Sequence, residues 1–122
     1  MIVLRNKEDS HKQVSEHFKG NELTCKCGKC HISIIDKQNL LLLETMRKIW
    51  GLPIKPSSFY RCQEHNRSLP NSAPLSKHCS GKAVDLPLPD DEYQRDSFIA
   101  MAEAIWPWTY VGNGFIHCDV RD

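Results

Sequence analysis

The stretch Ser76-Lys77-His78-Cys79-Ser80-Gly81-Lys82-Ala83-Val84-Asp85 constrains this 122-residue chain more than any other. A His and an Asp seven residues apart, with a turn-forming glycine between them, can bring an imidazole nitrogen and a carboxylate oxygen to about 2.0–2.2 Å from one metal ion. A second stretch, Phe115-Ile116-His117-Cys118-Asp119-Val120-Arg121, reads as a strand. Alternation along a strand puts His117 and Asp119 on the same side. His78, Asp85 and His117 together supply three protein ligands and leave one position open, the arrangement of a catalytic rather than a closed structural zinc.

Composition limits the partners of such a site. Sixteen Lys and Arg stand against fifteen Asp and Glu, for a formal charge of +1. Without a basic block or stripe, no nucleic-acid partner is expected. A mean hydropathy of −0.48 and 25% charged residues, with no apolar run near the ~18 residues that a bilayer requires, predict no membrane insertion. The length suits one domain over 1–122, with residues 1–24 a mixed, polar lead and the core at about 25–121. Met1-Ile2-Val3-Leu4-Arg5-Asn6-Lys7-Glu8-Asp9 turns charged too early for the apolar core of a secretory signal peptide. The expectation is therefore a cytoplasmic protein, or one that reaches its target by another route.

Hydropathy periodicity places the elements. Asp36 is a good N-cap for a helix over 36–50, with Leu40, Leu43, Met46, Ile49 and Trp50 at three- and four-residue spacing, ended by Gly51 and Pro53. Residues 54–60 are extended, 64–68 form a brief helix, and Pro70-Asn71-Ser72-Ala73-Pro74 is a loop. Residues 82–88 alternate as a strand until the prolines end it. A second helix over about 91–105 carries Phe98, Met101, Ala102 and Ile105 on one face. Strands at 108–111 and 115–120 flank a Gly112-Asn113-Gly114 turn. In the lead, Val14-Ser15-Glu16-His17-Phe18 hints at one helical turn. Helices packed on a small, mainly antiparallel sheet make an α+β domain.

Six cysteines are unusual in a chain this short. Cys25-Lys26-Cys27-Gly28-Lys29-Cys30 is followed by His31, and a Cys₃His set is an accepted ligand composition for a structural zinc. One residue between Cys25 and Cys27 is tighter than the usual spacing, so buried free thiols or a disulfide are also open there. Cys118 turns away from the site if His117 points into it, and belongs to the core. Cys62 reaches another cysteine only if the fold brings the two together.

Four motifs in order, Ser58-Phe59-Tyr60-Arg61, Glu64-His65-Asn66, Ser76-x-His78-x-x-Gly81-x-Ala83-x-Asp85 and Phe115-Ile116-His117-x-Asp119-x-Arg121, resemble the zinc D-Ala-D-Ala carboxypeptidase family. The resemblance spans about residues 14–121 and lies toward its carboxypeptidase-like branch, related to the murein endopeptidases and to the Hedgehog domain fold. It implies a Hedgehog/D-Ala-D-Ala peptidase-like fold and one catalytic Zn²⁺ held by His78, Asp85 and His117. It implies hydrolysis of amide bonds in peptidoglycan stem or cross-link peptides by zinc-activated water. Arg61 takes the place of the family's substrate arginine, holding a carboxylate or polarising the scissile carbonyl. Ser76 lies where relatives contact the substrate peptide. Small size and no visible signal peptide suit a phage or prophage lysis or tail-associated enzyme, or a bacterial protein released by lysis, and a monomer is expected.

Two departures stand out. Several branches of the wider family carry an acidic general base three residues before the last His ligand, and here that residue is Gly114. Asp119 is the nearest substitute, and it either acts as the base or orients a ligand. The glycine that usually precedes Tyr60 is Phe59, which is expected to reshape the pocket wall near Arg61. His65 and Asn66 are expected to brace the loop. The rivals are a D-Ala-D-Ala dipeptidase or carboxypeptidase on soluble muropeptides, and a cell-wall binding module that keeps its zinc but has lost hydrolysis.

Overall fold

Two antiparallel sheets and four helices build the computed structural model, which describes residues 1–70 and 72–121. The chain runs β1 (Ile2–Arg5), α1 (Gly20–Leu23), β2 (Ile32–Ile35), α2 (Lys37–Trp50) and α3 (Gln63–Ser68). It continues through a 3-10 turn at Lys77–Ser80, then β3 (Ala83–Pro87), α4 (Glu92–Ile105), β4 (Trp108–Val111) and β5 (Phe115–Asp119). β1 pairs with β2, and β5 lies between β3 and β4. The architecture is α+β, as the element pattern predicts. The separate β1–β2 sheet is an addition to it.

The long helices follow from their caps and their apolar stripes. The Asp36 carboxylate accepts the Asn39 amide at 2.9 Å, and Gly51, at φ 78°, closes α2 in the left-handed conformation. Asp91 caps α4 in the same way through Gln94. α2 turns Leu40, Leu43 and Met46 inward, whereas Ile49 is 62% exposed, so the buried stripe ends a turn before the helix does. Trp50 instead meets Phe98 of α4 edge to face, with ring centroids 5.1 Å apart. Leu4, Phe18 and Leu23 from the first 24 residues join Leu43, Met46, Phe59, Val84, Leu86 and Ile116 in one apolar cluster. Among the described residues, no helix is long and apolar enough to cross a membrane.

The first helical turn is not at Val14–Phe18. There the Val14 and Ser15 amides both donate to the Phe18 carbonyl, and Gln13 bridges Lys19, so local bonds close a tight loop instead of an i to i−4 ladder. The turn forms at Gly20–Leu23, where a Cβ on Gly20 would collide with the Asp9 carbonyl. This loop is tied to α2 by buried Glu44, which accepts the His17 amide at 2.8 Å and lies 2.7 Å from His17 Nδ1. Burial opposes charge on Glu44, but the bonds from His17 outweigh it and hold the carboxyl below the usual glutamate range.

One buried polar residue organises the region beneath the site. Asn39 is fully buried, donates to the Gly81 carbonyl at 3.2 Å and accepts from Trp106 Nε1 at 2.9 Å. It thereby joins α2, the end of α4 and the glycine that follows the 3-10 turn, with both ends of its amide satisfied.

Candidate metal centre

Three short elements converge on one point. Asp85 and His117 are directly opposed in the β3–β5 register. His78 sits on the 3-10 turn, which Gly81 ends at φ 72°. A Cβ on Gly81 would collide with the Ile34 carbonyl, so glycine is required there both for its backbone angle and for space. The result brings the three expected ligands together. Asp85 Oδ1 is 3.1 Å from His78 Nε2 and 3.0 Å from His117 Nδ1. The two imidazoles meet at 73° with centroids 5.2 Å apart.

Neighbouring acceptors set the tautomers. His78 Nδ1–H donates to the Phe59 carbonyl at 2.8 Å. Its Nε2, in a side chain 1% exposed, faces Asp85 Oδ1 at 3.1 Å but makes no well-aligned hydrogen bond among the described residues. Buried polar atoms are normally satisfied, so this nitrogen presents a lone pair that wants a cation. On the other ring, His117 Nε2–H donates to Asp119 Oδ2 at 2.9 Å, which leaves Nδ1 facing Asp85. Burial penalises charge on Asp85, yet the two facing imidazoles outweigh it and hold its carboxyl well below the usual carboxylate range. Burial likewise depresses His117, and Asp85 and Asp119 more than offset it, raising its pKa. Two imidazole nitrogens and an ionised carboxylate, backed by a carbonyl and a second carboxylate, fit a zinc ion in both donor type and support.

His78, Asp85 and His117 open onto a groove of about 720 Å³ that Arg61, Ser76, Trp108, Tyr110 and Arg121 also line. Arg61 is fixed through its amide, which donates to the His78 carbonyl at 3.1 Å, and through Nη2, which donates to Ser76 Oγ at 3.2 Å. Ser76 Oγ also accepts the His78 amide, so one hydroxyl positions both His78 and the Arg61 guanidinium. Asn66 donates to the Ala73 carbonyl at 2.8 Å and braces the loop beside the groove, as expected.

Phe59 does not shape the groove wall. Its ring is fully buried in the core, and its contribution to the site is the carbonyl that holds His78. Gly114 lies in the β4–β5 turn at φ 83° and lines a different depression. Among the described residues, the carboxylates lining the main groove are Asp85 and Asp119. Sequence reasoning gave no role to Trp108, whose ring meets His117 edge to face at 5.7 Å under the Arg121 guanidinium, 3.8 Å from its centroid. Strand alternation, which puts Trp108 and Tyr110 on one face of β4, was the available signal.

The cysteine-rich turn gathers a second group of possible ligands. The Sγ atoms of Cys25, Cys27, Cys30 and Cys62 all lie within 4.8 Å of one another. The fourth member is thus Cys62, from just before α3, and His31 is an exposed residue outside the group.

None of the curated proteins and none of the solved structures compared with the chain matches it. A family profile described as Peptidase M15 does, over residues 16–119, a range that contains His78, Asp85, His117, Arg61 and Asp119. The chain belongs to the M15 family of zinc D-Ala-D-Ala carboxypeptidase-like peptidases.

Proposed function

We propose that this zinc metallopeptidase hydrolyses amide bonds in peptidoglycan stem or cross-link peptides. The observation that carries the reading is the placement of a fixed guanidinium, Arg61, on the same groove as His78, Asp85 and His117. Stem peptides present free carboxylates, which a planar guanidinium binds through two parallel hydrogen bonds.

His78, Asp85 and His117 hold the zinc, which when bound supplies a Lewis acid that polarises a carbonyl and acidifies water. The chain's own groups prepare that chemistry. The Phe59 carbonyl and the Asp119 carboxylate fix which imidazole nitrogens face the centre. Ser76 holds Arg61 at the groove so that it engages a substrate carboxylate or a developing oxyanion. Trp108 and Tyr110 give the groove an apolar, aromatic side. Asp119 positions His117 and is not the proton-transfer group, because it is fully buried and already engaged by His117 and by Arg121 at 3.1 Å.

Gly114 favours a second reading, a cell-wall binding module, since no carboxylate stands where several branches place their base. The deciding experiment incubates the zinc-loaded protein with purified sacculi and, separately, with soluble muropeptides ending in D-Ala-D-Ala, and identifies products by mass spectrometry. Cleaved stem or cross-link peptides from sacculi support the proposal. Loss of terminal D-Ala from soluble muropeptides alone assigns a carboxypeptidase. Sedimentation with sacculi, zinc bound and no product formed, assigns the binding module.

A further inference from the structure

We propose that Cys25, Cys27, Cys30 and Cys62 bind a second, structural zinc ion that staples the cysteine-rich turn to the segment carrying Arg61. Four thiolates around a tetrahedral zinc at the usual bond length stand about 3.8 Å apart. Cys27 and Cys30 Sγ are 3.4 Å apart, Cys62 and Cys27 Sγ are 3.8 Å apart, and all four lie within 4.8 Å of one another. These separations suit a shared cation and are far longer than the ~2.05 Å of a disulfide.

Each sulfur also receives an N–H donor, which is how a fold stabilises thiolates, the form that ligates metal. Lys29 and Cys30 amides donate to Cys27 Sγ, both at 3.3 Å. The Cys62 amide donates to Cys25 Sγ at 3.4 Å, the His65 amide to Cys62 Sγ at 3.4 Å, and the Asn6 side chain to Cys30 Sγ at 3.2 Å. Gly28, at φ 75°, makes the turn that lets both amide donors reach Cys27 Sγ. Four thiolates with no imidazole form a closed site, the pattern of a structural zinc.

Its location gives the ion a second consequence, which rests on the substrate role proposed for Arg61. Cys62 follows Arg61 directly and caps α3 through the His65 amide, and α3 carries the Asn66 that braces the groove loop. An ion bound at Cys62 therefore limits how far Arg61 moves without touching substrate itself.

The test counts zinc by elemental analysis in the full-length protein and in variants at each site. Two zincs per chain in the wild type, one in His78→Ala and one in Cys27→Ser are expected. Cobalt is then loaded into chelator-stripped His78→Ala, where an intense thiolate-to-cobalt charge-transfer band in the near ultraviolet is expected. Cys79→Ser, outside the cluster, should keep both zincs. Wild-type zinc content in Cys27→Ser, absence of the cobalt band, or two disulfides found by thiol counting of the freshly purified, denatured protein would each overturn the proposal. If Cys27→Ser does not fold, the cobalt spectrum of His78→Ala decides alone. None of these readings uses peptidase activity, so they stand apart from the fate of the proposed function. Where activity is measurable, Cys62→Ser should raise KM at least several-fold with a smaller change in kcat.

Discussion

Asp119, fully buried, accepts the Nε2 proton of His117 at 2.9 Å and so decides which imidazole nitrogen faces Asp85. A carboxylate in that position typically tunes metal affinity by 10–100-fold, so Asp119→Asn should weaken zinc binding by about that factor. Competition with a chromophoric chelator measures it. If the variant holds zinc as tightly as wild type yet loses turnover, Asp119 is a proton-transfer group and the positioning role assigned to it is wrong.

Arg61→Lys keeps the charge and removes the paired donor geometry. It should lower kcat/KM on a substrate with a free carboxylate by about 10- to 100-fold, the equivalent of about 1.4–2.8 kcal/mol. An amidated substrate should show a much smaller difference between the two proteins. Equal losses on both substrates would place Arg61 on the carbonyl rather than on the carboxylate.

Gly81→Ala tests the turn that aims His78. The left-handed backbone costs an alanine roughly 1–2 kcal/mol, and the collision with the Ile34 carbonyl adds to it. A destabilisation of about 2 kcal/mol or more is expected, read as a fall in melting temperature of about 8 °C or more. Zinc lost in parallel would show that the turn is also what holds the ligand in place.

Glu44 makes acid stability a local matter. Because its folded-state pKa lies below the usual glutamate value, it stabilises the fold above that value, and this contribution is lost as pH falls through the folded pKa. The unfolding free energy of the wild type should therefore drop on acidification below the usual glutamate pKa, and that of Glu44→Gln should drop less. Urea titrations across the acid range compare the two slopes, and parallel curves would remove Glu44 from the account.

The sequence makes some of this architecture plain and hides the rest for physical reasons. Asp36 and Asp91 announce α2 and α4 because a cap followed by a periodic apolar stripe is a local signal. The strands bearing Asp85 and His117 are legible by alternation. β1 and β2 are not, since each is four residues long and gains its partner only across a long loop. Asn39 looks like an ordinary helical surface residue until the fold brings Gly81 and Trp106 to it. Cys62 and His31 exchange places for the same reason: nearness in sequence favours His31, and the chain path brings Cys62. Phe59 misled because its side chain suggested a wall, whereas the backbone of that residue does the positioning.

The direct opposition of Asp85 and His117 across β3 and β5 has an implication for how the site comes into being. In a sheet, a slip of one residue sends every side chain of a strand to the other face. A misregistered β5 would therefore present Ile116 and Cys118 to the groove and bury His117 in the core. Correct pairing is therefore what sets Asp85 and His117 side by side on the groove, and a zinc ion held between them would favour that alignment over a slipped one, because a ligand that binds only the native register stabilises it.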